Sequence, residues 1–341
     1  MDLKKTFLTL LFLATYLVVF AQQEEEEELP SYQTMYDSPF DIRNIYLHFQ
    51  PLSGDIGALN VTGGFGLKAE YYHKTFFNAS VSYKTSYGKR FDINRDAAVR
   101  NAINSDDEFP MHYNIEFGGT YHIQDLMRST STSKVLLYSK QLKGASWAAT
   151  IPRHAEVSSN VRNIIGARLG GMLYRTVVNV DAALNSQEIE LFYDDGTPII
   201  DESIYSNLNA FVIYIGGSYS WIHNFAIEFS ERWDPTGDDM IVTPYFDFLF
   251  APSVKLMDVT LSNGVVSTEP IEKLKVGART GVDVKFNRKL SWGYGLETGF
   301  RPGLKTKGFY LAFKMSFPLV GTNSEDVQKV FKDKFNWKHR K

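Results

Sequence analysis

The chain has 341 residues with 25 Phe, 19 Tyr and no Cys, and a formal net charge of -3. Without cysteine there is no disulfide, thiolate metal site, cysteine nucleophile or lipid-bearing N-terminal Cys. Beyond the N-terminus no run of ~18 consecutive apolar residues occurs, which excludes a transmembrane helix. A 14% aromatic share beside a mean hydropathy of -0.22 is what an apolar outer wall averaged with a polar interior gives.

Residues 1–21 read as a secretory signal peptide: Lys4 and Lys5 lead an apolar run from Phe7 to Phe20, and Val19-Phe20-Ala21 makes a small-residue cleavage site. Residues 22–43 read as an acidic, disordered and solvated leader, because Glu24 to Glu28 repel one another and no periodicity appears. From residue 44 to about 320 the sequence alternates. A strand sends successive side chains to opposite faces, so period two marks a wall with one apolar and one polar side. Ile45, Leu47 and Phe49 share a face, and the pattern breaks at Ser53-Gly54-Asp55. Phe65, Leu67, Ala69 and Tyr71 then oppose Gly66, Lys68, Glu70 and Tyr72, and Phe77, Ala79, Val81 and Tyr83 oppose Asn78, Ser80, Ser82 and Lys84. Residues 88–110 suit a surface loop. In 111–123, Tyr113, Ile115, Phe117 and Tyr121 oppose His112, Asn114, Glu116 and His122.

Residues 125–160 hold a Ser/Thr-rich turn at 129–133 and fit either two short strands or a plug; 161–177 resume the wall with Arg168 inward, and 179–207 read as the longest outer loop. Odd positions stay apolar from Phe211 to Phe229. At about 3.3 Å per residue that stretch outruns a membrane crossing, so it either projects or folds back at Ile222-His223-Asn224. In 241–250, Asp247 points in among outward Phe246, Phe248 and Phe250, and Pro244 belongs at a strand start or bulge. Residues 274–319 give three closing strands, with Arg279, Asp283, Lys285, Glu297 and Lys314 on the polar face. The fold class is therefore all-β: a transmembrane antiparallel β-barrel of about 10 to 12 strands. A basic tail, 321–341, follows, with Val327, Val330, Phe331 and Phe335 at helical spacing after Ser324. It reads as a short amphipathic helix that packs on the barrel floor or docks on a periplasmic partner or anionic lipid.

The inward charges are Lys68, Glu70, Lys84, Glu116, Arg168, Asp247, Arg279, Asp283, Glu297 and Lys314, together with Lys285 and Glu228. Both signs occur in similar number, which predicts a salt-bridged lumen rather than a pore of one sign. No GxSxG or HExxH is present. His112 and Glu116 are ~13 Å apart along a strand, and His112 and His122 ~33 Å, too far for an acid–base pair or a shared metal. No enzyme activity, metal, cofactor or nucleic-acid partner is expected.

The segment GYGLETGFRPGLKTKGFYLAFKMSFPLV, with its aromatic, glycine-rich final hairpin, resembles the outer-membrane β-barrel proteins of Bacteroidota, as does the VVFAQQ signal-peptide ending. The resemblance implies an outer-membrane location with both termini periplasmic and a structural or accessory role in a cell-envelope assembly. A narrow pore or carrier for small or apolar molecules, and a rim-located hydrolase, are the alternatives. The chain departs from the best-known barrels by running about twenty residues past the aromatic Phe317, which gives the tail weight as a contact element.

Overall fold

The structure, a computed structural model, describes residues 31–42, 44–73, 75–101, 109–137, 153–189, 196, 204–229, 235–261, 264–287, 291–305 and 307–320. The signal peptide, the Glu24 to Glu28 run and the tail residues Val327, Val330, Phe331 and Phe335 lie outside the described residues.

The first strand, β1 (Tyr32–Asp37), falls in the stretch the sequence assigns to a disordered leader. The barrel begins with β2 (Ile45–Gly57), β3 (Val61–Tyr72) and β4 (Phe77–Ser86), then β5 (Tyr113–Leu137), β6 (Arg153–Asn179) and β7 (Tyr205–Ile222). Two short strands, β8 (Phe225–Phe229) and β9 (Thr236–Asp238), precede β10 (Met240–Leu256). After β11 (Val259–Leu261), β12 (Gly264–Val266) and β13 (Lys273–Leu274), the wall finishes with β14 (Val276–Phe286), β15 (Gly293–Phe300) and β17 (Phe309–Val320), with β16 (Gly303–Leu304) between the last two. Ten strands close on themselves in the order β10-β14-β15-β17-β2-β3-β4-β5-β6-β7, every pair antiparallel. Closure leaves the wall no free edge, as a strand-built membrane span requires.

Register turns the period-two pattern into two surfaces. Leu169 pairs with Ile215, Ile215 with Phe248, and Phe248 with Ala278. The first three are 62%, 63% and 61% exposed and form an apolar band on the outside. One residue along each strand, Arg168, Gly216, Asp247 and Arg279 make the matching inward row. An apolar belt around a charged interior is a membrane-spanning barrel.

Two β-bulges hide strand length in the sequence. In β2 the register shifts between Gln50 and Ser53, so inward positions move from Tyr46, His48 and Gln50 to Ser53 and Asp55, and the strand continues to Gly57 where the sequence suggested a turn. In β10 the shift between Phe250 and Ser253 carries the strand to Leu256. Pro244 sits mid-strand rather than at a start or bulge. It pairs with Val282 of β14, while the β7 ladder passes from Val242–Trp221 to Tyr245–Ser218, so its missing N–H falls in a ladder gap. The loop after β4 contains a helix, Ile93–Asn101, and the loop after β6 another, Asp181–Gln187.

The barrel ends differ. At the end where β2 starts and β17 finishes, the terminal end, β5 and β6 do not stop at the wall. They run for 25 and 27 residues, and beyond Tyr121 and Arg162 they pair only with each other. The Ser129 to Ser133 stretch is thus strand, not turn, and from Met127 and Arg162 to Leu137 and Arg153 the ribbon projects about 30 Å along its own direction. Nor does the 208–231 pattern describe one wall strand. The chain leaves the barrel after Ile222, and β8 joins β1 and β9 in a separate sheet. Glu228 is therefore not in the lumen; it lies exposed on β8 opposite Gln33. Phe225, Ile227 and Phe229 pack on Val135, Ala155 and Val157 of the ribbon, so ribbon and small sheet form one extramembrane platform.

Leu169→Arg puts a guanidinium in the middle of the lipid-facing band. It is expected to destabilise the barrel by about 2–4 kcal/mol, read as a lowered urea midpoint of protein folded into lipid vesicles, with Lys134→Ala on the ribbon as a control that leaves the midpoint unchanged.

Candidate functional site: the lumen

The ten charges singled out in the sequence all lie on inward strand positions, and the fold sorts them into two groups along the barrel axis. Arg279 of β14 is 1% exposed and Asp247 of β10 is 0% exposed. They are buried because the side chains cross the lumen and meet. Arg279 donates through Nε to Asp247 at 2.9 Å, through Nη1 to Glu297 at 3.2 Å and through Nη2 to Glu116 at 2.6 Å. Glu116 belongs to β5, on the far wall from β14, so this contact spans the barrel. Arg168 of β6 holds the other side of Asp247, at 2.9 and 3.2 Å.

Tyrosines complete the group. Glu297 accepts from Tyr245 at 2.5 Å and from Tyr310 at 2.6 Å. The Arg279 guanidinium lies 4.5 Å over the Tyr214 ring, and that of Arg168 lies 4.2 Å over Tyr245. Charges taken from water persist only when paired and hydrogen-bonded, and here every carboxylate has a cationic partner. Glycine makes the room. A Cβ on Gly216 would strike the Asp247 carboxylate, and one on Gly118 or Gly170 would strike Tyr214.

Toward the terminal end lies a second group, built from lysines. Lys68 bonds Asp283 at 2.5 Å and pairs with Glu70; Lys285 pairs with Glu70 and donates to the Tyr72 hydroxyl at 2.8 Å; Lys314 lies 3.1 Å from Asp283. Between the groups is a cavity of about 90 Å³. Lys84, the tenth of the predicted charges, lines it and forms no ion pair among the described residues.

Both lumen ends are covered. Below the lysines, Tyr46, Tyr72, Ile164, Ile222 and Ile241 form an apolar floor on which Ile42 packs. The segment before β2 is tied there: Asn224 donates to the Ser38 and Asp41 carbonyls at 2.9 and 3.0 Å, and Asp37 accepts from the Asn160 N–H at 2.8 Å. Phe40 lies 4.5 Å under the Arg162 guanidinium, itself held by Asp125 at 2.8 and 2.6 Å. At the opposite end, Val180, Leu184, Ile204, Val259, Ile271 and Leu304 from the loops join Leu208, Leu249 and Leu256 of the wall in the largest apolar cluster. Arg301 there pairs with Asp55 at 2.7 Å and lies 3.9 Å over Tyr310.

Sequence reasoning missed Asp55, Arg301 and the tyrosines. The β2 bulge moved Asp55 out of phase with the strand before it, and Arg301 follows β15 where alternation has ended. Tyr214, Tyr245 and Tyr310 were legible by parity, since each shares an inward face with a charged residue or glycine. His112 and His122 do not meet: the His112 N–H reaches Asp92 at 3.3 Å, and the His122 ring lies 3.3 Å from Asn78.

Arg279→Met leaves Glu116, Asp247 and Glu297 facing one another, with Arg168 on Asp247 as the remaining ion pair of the group. The expected cost is about 3–5 kcal/mol. Carboxylates in that variant repel, and protonation relieves the repulsion, so its stability relative to wild type should recover as pH falls from 7 toward 4. Denaturant titration across that range measures both effects.

No protein-family model matches the chain, and no curated protein matches it. Among solved structures the chain matches a TodX deltaS2S3 mutant monoaromatic hydrocarbon channel at 10% identity, over 80% of this chain and 89% of that chain, with a TM-score of 0.18. A superposition that loose has no bearing on function, and the barrel rests on its own strand pairing.

Proposed function

We propose that the chain is an outer-membrane barrel, closed at rest, that serves as a structural or accessory component of a cell-envelope assembly through the platform at its terminal end, with that end periplasmic. In this reading the chain is not an enzyme. The observation that carries the reading is the Arg279 group: two guanidiniums, three carboxylates and three tyrosines from opposite walls meet inside the barrel, in the manner of a cross-brace. The ribbon and its small sheet supply the second support, since ordering so long a projection serves contact with something beyond the membrane.

A narrow pore or carrier for small molecules is the second reading, favoured by the polar cavity between the two charge groups. The two readings part in planar bilayers. The refolded wild-type protein is expected to be electrically silent, and so is the double variant Arg279→Ser/Glu116→Ser, which removes the cross-lumen contact but leaves the apolar covers at both lumen ends in place. Steady, ion-selective conductance from wild type would replace the scaffold reading with the pore reading.

The platform is tested separately. Val157→Asp buries a charge beneath β8 and should detach β1 and β8 from the ribbon while the barrel folds normally. Cross-linking in intact cells is expected to capture a neighbour on the wild-type platform and to lose it in this variant at unchanged barrel level.

A further inference from the structure

The lumen cavity holds more positive charge than its carboxylates neutralise. Lys68, Lys84, Arg168, Lys285 and Lys314 line it, against Glu70, Glu116, Asp283 and Glu297. All four carboxylates are committed: Glu70 to Lys68 and Lys285, Asp283 to Lys68 and Lys314, Glu116 and Glu297 to Arg279. Arg168 is taken up by Asp247, which lies outside the cavity lining. Lys84 remains. It shares the cavity lining with Glu116, Glu297 and Lys314, yet among the described residues it forms a contact pair with none of them.

The surroundings of Lys84 add donors rather than a counter-ion. Ser80 and Ser82 precede it on the inward face of β4, Thr120 and Ser218 face the same space, and Lys314 approaches from β17. An ammonium in such a chamber needs a negative partner or water, and hydroxyls beside ammoniums stabilise an anion by charge-assisted hydrogen bonds. The cavity, about 90 Å³, has room for several waters, each needing about 10–15 Å³ on the same measure, and so for a small anion with water around it.

We propose that this cavity is a binding site for one small monovalent anion, a halide or a short carboxylate, held by Lys84 and Lys314 with the hydroxyls of Ser80 and Ser82. Bound there, the anion balances the fifth cation and joins the lysine group to the arginine group. The site does not depend on what the platform contacts, and its test is independent of conductance.

The experiment is thermal unfolding of the refolded full chain at constant ionic strength, with sodium gluconate replaced stepwise by chloride, formate or acetate. Gluconate, a bulkier polyhydroxy anion, is the reference. Wild type is expected to show a saturable rise of about 3 °C, and the rank of chloride against the two carboxylates tells which source of negative charge the site prefers. Lys84→Met breaks no ion pair or side-chain hydrogen bond among the described residues and should abolish the rise; Lys134→Met, on the ribbon, should keep it. A shift that grows without saturating, an equal shift in Lys84→Met, or no shift in wild type overturns the proposal. If Lys84→Met does not fold, the saturation and size dependence of wild type decide alone.

Discussion

Arg279 is the point on which the lumen depends. Its guanidinium has three donor directions in use, and each ends on a carboxylate from a different strand, β5, β10 and β15. A planar fork with several fixed donors can do this, whereas a single ammonium cannot hold three acceptors in one plane. The contact to Glu116 crosses the barrel, so one side chain couples two walls that share no ladder. Glycines opposite and tyrosines around the guanidinium follow from that arrangement: the former clear the space, the latter satisfy lone pairs and cover the cation's faces.

Within the arginine-centred group, side chains from both walls meet across the lumen, and each carboxylate has a cationic partner. Lysines behave differently in the neighbouring group. Each is a point charge on a flexible stem, the pairs they form are chains rather than a hub, and one lysine is left over. The fold thus separates an arginine-centred hub from a lysine-rich chain of pairs, with the cavity between them.

At the two ends closure is apolar. Loops fold into the mouth at one end, with Gln187 exchanging hydrogen bonds with the backbone of Glu272 at 2.8 and 3.3 Å to fasten two of them. At the terminal end the chain's own beginning covers the floor, fixed by Asn224, and β1 completes the platform sheet. Barrel and platform are mechanically linked there, because β5 and β6 belong to both.

The sequence by itself determined the wall. Period-two alternation fixes which side chains face lipid and which face inward, because neighbouring residues of a strand must point opposite ways. Lys68, Glu116, Asp247 and Arg279 could therefore be assigned to one strand face without knowing any neighbour. Tertiary structure alone decided who meets whom. Register and shear bring residue 116 to residue 279 across the barrel, and no local pattern encodes a contact between positions so far apart in the chain. Parity also has no memory across a break. A bulge reversed the phase before Asp55, and after Ile222 the continuing alternation belonged to another sheet. So the sequence could supply the list of lumen charges, but not their division into a cross-lumen hub, a lysine group and one ammonium with no ion pair among the described residues.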